Sequence, residues 1–268
     1  MDSYEFDLEA YLQRIIFSGA TDVSLDTLVR LHHAHFHTIP FENFDILLGR
    51  GIDIVPQAVF NKLVRKKRGG YCFELNGLFL QALQALGFKA RALLARVHLT
   101  GPPSGRGHQL ELVSIDGREW LADVGFGLNS PREPIPMELD RPITTDGRTM
   151  RLTDGGHFGT MFQALEDGKW KDLYSFDLGY VFPADIAYGN HYTSTHPDTF
   201  FTYSRVAGLP FPGGGITLLD RILKITTNGK EEVQTLPDSP AYLDALKKHF
   251  SIELDASYDD LKPLPPEE

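Results

Sequence analysis

Residues 108–123 read HQLELVSIDGREWLAD, and this stretch settles both a fold element and the most informative pair of side chains in the chain. Asp116-Gly117 lies between two alternating apolar runs, the pattern of a two-residue type I′ hairpin loop. With Ile115 paired to Arg118, counting outward places Leu112 opposite Leu121 and Leu110 opposite Asp123. His108 shares the face of Leu110, so it becomes the diagonal neighbour of Asp123, at roughly 7–8 Å between backbones. Leu110, Leu112 and Leu121 make the rest of that face apolar, which puts His108 and Asp123 at the end of a buried stripe, where polar groups need partners. Singly, a histidine at a strand start is commonly structural, and an aspartate before Val124-Gly125 is commonly a turn residue. Together they place an imidazole beside a carboxylate.

Upstream lies the only cysteine, Cys72, in the run Arg68-Gly69-Gly70-Tyr71-Cys72-Phe73-Glu74. Leu75, Leu78, Phe79, Ala82, Leu83 and Leu86 recur at helical spacing and Gly87 caps the run, so Cys72 falls in a first helical turn. Unpaired N–H groups and the positive end of the helix dipole favour an anionic sulfur there, and Arg65, Lys66, Lys67 and Arg68 precede it. The simpler reading is a buried cysteine acting as a small hydrophobe. Thiol, histidine and carboxylate together have the three-part logic of a nucleophile, its base and the group that orients the base. The hairpin by itself leaves open whether Cys72 reaches His108.

The chain divides into three zones. Residues 1–87 read as a helical bundle, with helical patterns at Leu8–Phe17, Ser24–His37 with Ser24 as N-cap, Pro56–Lys67 with Pro56 as a first helical residue, and the Cys72 helix. Residues 88–182 read as an antiparallel β-barrel, with short runs separated by Asp116-Gly117, Asp146-Gly147, Asp154-Gly155 and Asp167-Gly168. Residues 183–268 read as an α/β lid: a helix at Pro183–Tyr192, strands at Phe200–Val206, Ile216–Asp220 and Ile222–Thr227, a turn at Asn228-Gly229, a helix at Ser239–Phe250, and a disordered tail from Lys262 to Glu268. The fold class is α+β.

The 268 residues, 42% of them hydrophobic, suffice for a substantial core. No run approaches the ~18 apolar residues of a membrane span, and Met1-Asp2-Ser3-Tyr4-Glu5 lacks the features of a signal peptide. A cytoplasmic protein that engages no membrane is expected. One cysteine forms no intrachain disulfide and no cysteine-rich zinc site, and a net charge of −10 argues against a nucleic acid partner. The basic run at Arg65–Arg68 is either a solvated helix end or a local attractor for an anionic cosubstrate.

The run Arg68-Gly69-Gly70-Tyr71-Cys72-Phe73-Glu74-Leu75-Asn76-Gly77 follows Pro40-Phe41-Glu42-Asn43-Phe44, and precedes Gly107-His108-Gln109-Leu110, Ala122-Asp123-Val124-Gly125-Phe126-Gly127 and Thr195-His196-Pro197. In order and spread this set resembles the arylamine N-acetyltransferases. The resemblance implies a helical bundle, β-barrel and α/β lid around a cysteine-protease-like Cys-His-Asp core. It implies a ping-pong reaction in which Cys72 takes acetyl from acetyl-coenzyme A and passes it to an aromatic amine or hydrazine. His108 would move the proton and Asp123 would fix the imidazole tautomer. It further points to Phe41, Gly107 and Phe126 for substrate, and to Ser104, Gly105 and Tyr192 for coenzyme A. Many relatives carry a further glycine where this chain has Leu128-Asn129-Ser130, which weakens the case for a glycine-loop contact to the coenzyme.

Other readings compete with this one. His33 and His37 would share one helix face as metal ligands, but no intervening glutamate or third ligand is evident, so no metal is expected. An amide synthase using a carrier-bound thioester, a cysteine hydrolase and a binding module without chemistry are the alternatives to an acetyltransferase.

Overall fold

The computed structural model describes residues 4–99 and 102–264. Its first part is helical: α1 (Leu8–Arg14), α2 (Leu25–Thr38), α3 (Phe44–Leu47), α4 (Pro56–Phe60), which continues as a π-helical turn over Asn61–Arg65, and α5 (Cys72–Ala85). Ser24 caps α2 by accepting the Thr27 N–H, and Pro56 occupies the first turn of α4. A two-residue strand, β1 (Phe41–Glu42), precedes α3.

Eight antiparallel strands follow: β2 (Lys89–Val97), β3 (His108–Ile115), β4 (Arg118–Ala122), β5 (Ile135–Pro136), β6 (Ile143–Thr145), β7 (Arg148–Asp154), β8 (Thr160–Glu166) and β9 (Lys169–Phe176). Their spatial order is β5-β4-β3-β2-β9-β8-β7-β6, and the sheet curls into a nearly closed barrel. The period-two alternation of its strands divides two cores. Leu93, Leu110, Leu112, Leu121, Leu152 and Phe162 fill the barrel, whereas Leu94, Val113, Ile115 and Ala122 face the helices and join their core.

The last part comprises α6 (Pro183–Thr195), strands β10 (Val206–Phe211), β11 (Gly214–Leu219), β12 (Ile222–Thr227) and β13 (Lys230–Thr235), and α7 (Ala241–Phe250). β1 completes this second sheet by pairing Phe41 with Gly208 and Glu42 with Ala207. Ala207, Leu218, Leu223, Tyr242, Leu246 and Phe250 share one core with Leu28, Phe44 and Phe79, so the first and last parts of the chain pack as one body. The fold is α+β: helical bundle, antiparallel barrel and α/β lid.

Three local expectations are corrected. Asp154-Gly155 is not a two-residue hairpin loop: Asp154 accepts the Gly156 N–H and the left-handed positions are Gly156 and Gly159, so the chain makes a longer connection to β8. Phe200–Thr202 is a 3-10 turn and the strand begins only at Val206, because the Thr199 and Thr202 hydroxyls bond nearby carbonyls instead of leaving the backbone to a ladder. The disorder expected from Lys262 onward falls partly on residues outside those described. Lys262 itself is anchored, its N–H donating to Leu47 O and its ammonium to Thr202 O.

Lys66 and Lys67 of the basic run are exposed, while Arg65 and Arg68 at its ends are paired. Arg65 pairs with Asp7 at 2.5 Å, and buried Arg68 reaches Glu42 at 2.7 Å and Asp45 at 3.3 Å. Lys62 joins Asp45 at 2.7 Å and Glu74 at 2.8 Å, and the other Glu74 oxygen accepts the Tyr71 N–H. This network ties the loop before Cys72 to β1 and α3. Gly69 is required there, since a Cβ would lie 2.2 Å from Pro40 O. Arg68→Met leaves the Glu42 carboxylate buried without its partner, and is expected to lower unfolding free energy by about 3–5 kcal/mol in urea titrations. A loss under about 1 kcal/mol would place Arg68 among the surface pairs.

Candidate active site

Cys72 is the first residue of α5 and is buried, its sulfur facing Gly107 O at 3.7 Å. His108 opens β3, and the observed register, Ile115 with Arg118 and Leu112 with Leu121, is the one expected from the Asp116-Gly117 loop. Asp123 follows the last residue of β4. The diagonal gap is closed by the side chains: His108 Nε2 and Asp123 Oδ2 are 2.8 Å apart, and both residues are fully enclosed. Nδ1 is left as the ring nitrogen available to the Cys72 sulfur.

Burial disfavours the imidazolium, but the Asp123 charge and hydrogen bond, together with the Cys72 sulfur, outweigh it and raise His108 to about 10. Asp123 is held below the usual carboxylate range despite its burial, by His108 and by hydrogen bonds from Asn76 and Gly125. The folded value of His108 exceeds its unfolded value of about 6.5, so the stabilisation from this contact is complete below that pH and disappears as pH rises toward 10. The stability difference between wild type and His108→Gln is therefore expected to shrink across that window. A pH-independent difference would show that the imidazole carries no proton there.

The Asp123 loop is held by side chains, not by a ladder. Asn76 Nδ2 donates to Asp123 Oδ1 at 2.9 Å while Asn76 Oδ1 accepts the Val124 N–H at 2.9 Å, and the Gly125 N–H donates to the same Asp123 Oδ1 at 2.9 Å. A Cβ on Gly125 would stand 2.6 Å from Asn76 Nδ2 and 3.0 Å from the Cys72 Cα, so only glycine lets this loop lie against α5. Asn76 is one helical turn beyond Cys72, a spacing that puts both on one face of α5. The four-residue spacing from Cys72 is the one local sequence signal for Asn76's place in the site.

Two aromatic rings flank the imidazole, Phe126 at 4.7 Å and Tyr174 at 5.2 Å between centroids. Phe41 packs instead on Phe201, at 5.8 Å, and Tyr71 packs on the same ring at 5.8 Å. Phe41 and Phe126 thus belong to separate aromatic groups, one on the second sheet and one against the barrel. Gly107 approaches α6 so closely that a Cβ would lie 2.9 Å from Thr193 Oγ1. The exposed Ser104-Gly105 segment leads into that contact, and half-exposed Tyr192, beside Thr193, stacks on His196 at 4.5 Å. The structure therefore brings the loop before His108 and α6 to one rim. His33 and His37 face each other with Nδ1 atoms 3.2 Å apart. No group of three or more potential metal ligands occurs among the described residues, and no helix among them is long and apolar enough to cross a membrane.

A family model described as N-acetyltransferase matches residues 24–258. The arylamine N-acetyltransferase of Escherichia coli (strain K12) is 38% identical over 252 residues, covering 92% of this chain and 89% of that protein. This chain belongs to the arylamine N-acetyltransferase family. Solved structures of the family superpose closely. The enzyme from Salmonella typhimurium matches with a TM-score of 0.90 at 32% identity, over 94% of this chain and 95% of that one. The Mycobacterium marinum enzyme in complex with CoA matches with a TM-score of 0.89 at 34% identity, over 96% and 97% of the two chains.

Proposed function

We propose that this chain is an acyltransferase that moves acetyl from acetyl-coenzyme A, through a thioester on Cys72, to an aromatic amine or hydrazine. The observation that carries the reading is the enclosed 2.8 Å contact between His108 and Asp123 beside the only thiol of the chain. Family membership and the CoA complex of the Mycobacterium marinum relative supply the donor. In the first half-reaction the Cys72 sulfur attacks the thioester carbonyl, a new C–S bond forms, and the coenzyme thiolate leaves with the proton held by His108. In the second, the amine nitrogen attacks the acetyl carbon, His108 takes the amine proton, and Cys72 leaves as thiolate. Asp123 accepts the Nε2–H throughout and keeps Nδ1 directed at the reacting atoms.

In this reading residues 1–87 supply the nucleophile, 88–182 its base and orienting carboxylate, and 183–268 the cover. Phe41 and Phe126 pack an aryl ring, Gly107 borders it, and Ser104, Gly105 and Tyr192 take coenzyme A. Cys72 is only 4% exposed, which favours transfer over hydrolysis because water has little access to the thioester. A reducing cytoplasm suits a working thiol. Intact-mass and peptide mass spectrometry after brief mixing with acetyl-coenzyme A is expected to show one acetyl group, on Cys72, that disappears when an arylamine is added. A thiol that stays alkylatable yet never acquires acetyl would refute the reading.

A further inference from the structure

We propose that His32 is a positioning residue for the triad, acting through a hydrogen bond from its Nε2 to the main-chain carbonyl of Asp123. The inference rests on the role proposed above for Asp123. β4 ends at Ala122, which pairs with Glu111, so the Asp123 carbonyl lies just past the last ladder pair. The partner comes instead from α2: His32 Nε2 stands 3.2 Å from that oxygen, and the His32 side chain is wholly enclosed. A carbonyl oxygen only accepts, so the proton sits on Nε2, and Nδ1 is left bare and buried without a partner.

Aromatic neighbours flank the ring. It is packed by Phe36 at 6.1 Å and edge-on by Phe79 at 5.9 Å. Burial, followed by the pull of Asp123 in the other direction and smaller contributions from His33 and His37, holds His32 down at about 4, so it works as a neutral donor across the physiological range. Asn76 fixes the Asp123 carboxylate and the Val124 N–H from α5, and His32 fixes the intervening peptide from α2. With both tethers present the carboxylate has one position relative to His108. With His32 removed, the 123–124 peptide is free to tilt about the Asn76 contacts, and the His108–Asp123 contact loosens.

The test pairs two variants with a measurement on the wild type. His32→Phe keeps an aromatic ring but removes the donor, while His32→Gln returns an amide N–H near the Nε2 position. Folded His32→Phe is expected to show a kcat about tenfold to a hundredfold lower with little change in KM for acetyl-coenzyme A. Its Cys72 alkylation by iodoacetamide should set in at higher pH, because a loosened carboxylate holds the imidazolium less well. His32→Gln should restore most of both. Wild-type rate and alkylation profile in folded His32→Phe, or a His32→Gln that behaves like it, would overturn the assignment. Nitrogen NMR of the wild type covers the case in which His32→Phe fails to fold: the expected signal is a neutral ring protonated on Nε2 from pH 5 to 9, and a proton on Nδ1 or a titration in that range would overturn the assignment. Alkylation and NMR are independent of acetyl transfer, so a chain that accepts no acetyl group would refute the acetyltransferase reading while leaving the His32 result intact.

Discussion

Cys72→Ala is expected to lower acetyl transfer to an arylamine by about a millionfold, the scale seen when the nucleophile of a covalent triad is removed. The reason is structural as well as chemical. The chain has no second cysteine to substitute, and alanine at the first position of α5 leaves the helix and its capping contact from Glu74 to the Tyr71 N–H in place. The variant should therefore fold normally and lose only the atom that bears the acetyl group. Release of free coenzyme thiol, followed with an arylamine present and absent, measures the effect. Residual turnover above about one part in a thousand would require direct attack of the amine on acetyl-coenzyme A, a different mechanism from the double displacement proposed above.

Asp123→Asn is expected to cost about 10⁴-fold in kcat, with the fold retained. The direction of the effect follows from the partners of each oxygen. Oδ1 accepts from Asn76 Nδ2 and from the Gly125 N–H, so the position it occupies must stay an acceptor. The asparagine oxygen takes that place, which turns its amino group toward His108 Nε2. Two donors cannot meet at 2.8 Å, so the imidazole moves its proton to Nδ1, toward the Cys72 sulfur, where a base can no longer take one. The raised pKa of His108 also loses its main support. Steady-state rates and the pH profile of Cys72 alkylation should change together, with alkylation shifting to higher pH. Activity near wild type would remove Asp123 from the orienting role.

Much of this site was legible because it rests on short-range rules. A two-residue Asp-Gly loop sets its own register, and from it the side of the sheet carrying His108 and Asp123 follows without knowledge of anything distant. Ser24, Pro56 and the first-turn position of Cys72 were legible for the same reason, since caps and helix starts depend on residues three or four apart. The Arg65–Arg68 run was legible only in part, because charge pattern says nothing of partners: Arg65, Lys66 and Lys67 are exposed as at a solvated helix end, whereas Glu42 and Asp45, which neutralise buried Arg68, lie on the segment that contains β1 and α3. β1 was invisible because two residues carry no periodicity, and its partner β10 lies far along the chain. β13 was invisible because it is exposed throughout, with no apolar alternation, and its charged residues Lys230, Glu231 and Glu232 suit an unpaired sheet edge.

Sequence by itself determined the longer helices, the hairpin register, and the pairing of one imidazole with one carboxylate, because each follows from backbone sterics and from side-chain spacing within some fifteen residues. Tertiary structure alone decided that α5 brings Cys72 to that pair, that Asn76 and His32 hold the Asp123 loop where the ladder ends, and that β1 joins the helical part to the second sheet. Those contacts join helices to strands that follow much later in the chain. No local pattern encodes them; they exist because packing two cores against one shared sheet leaves a single arrangement in which the buried polar groups of the site find their partners.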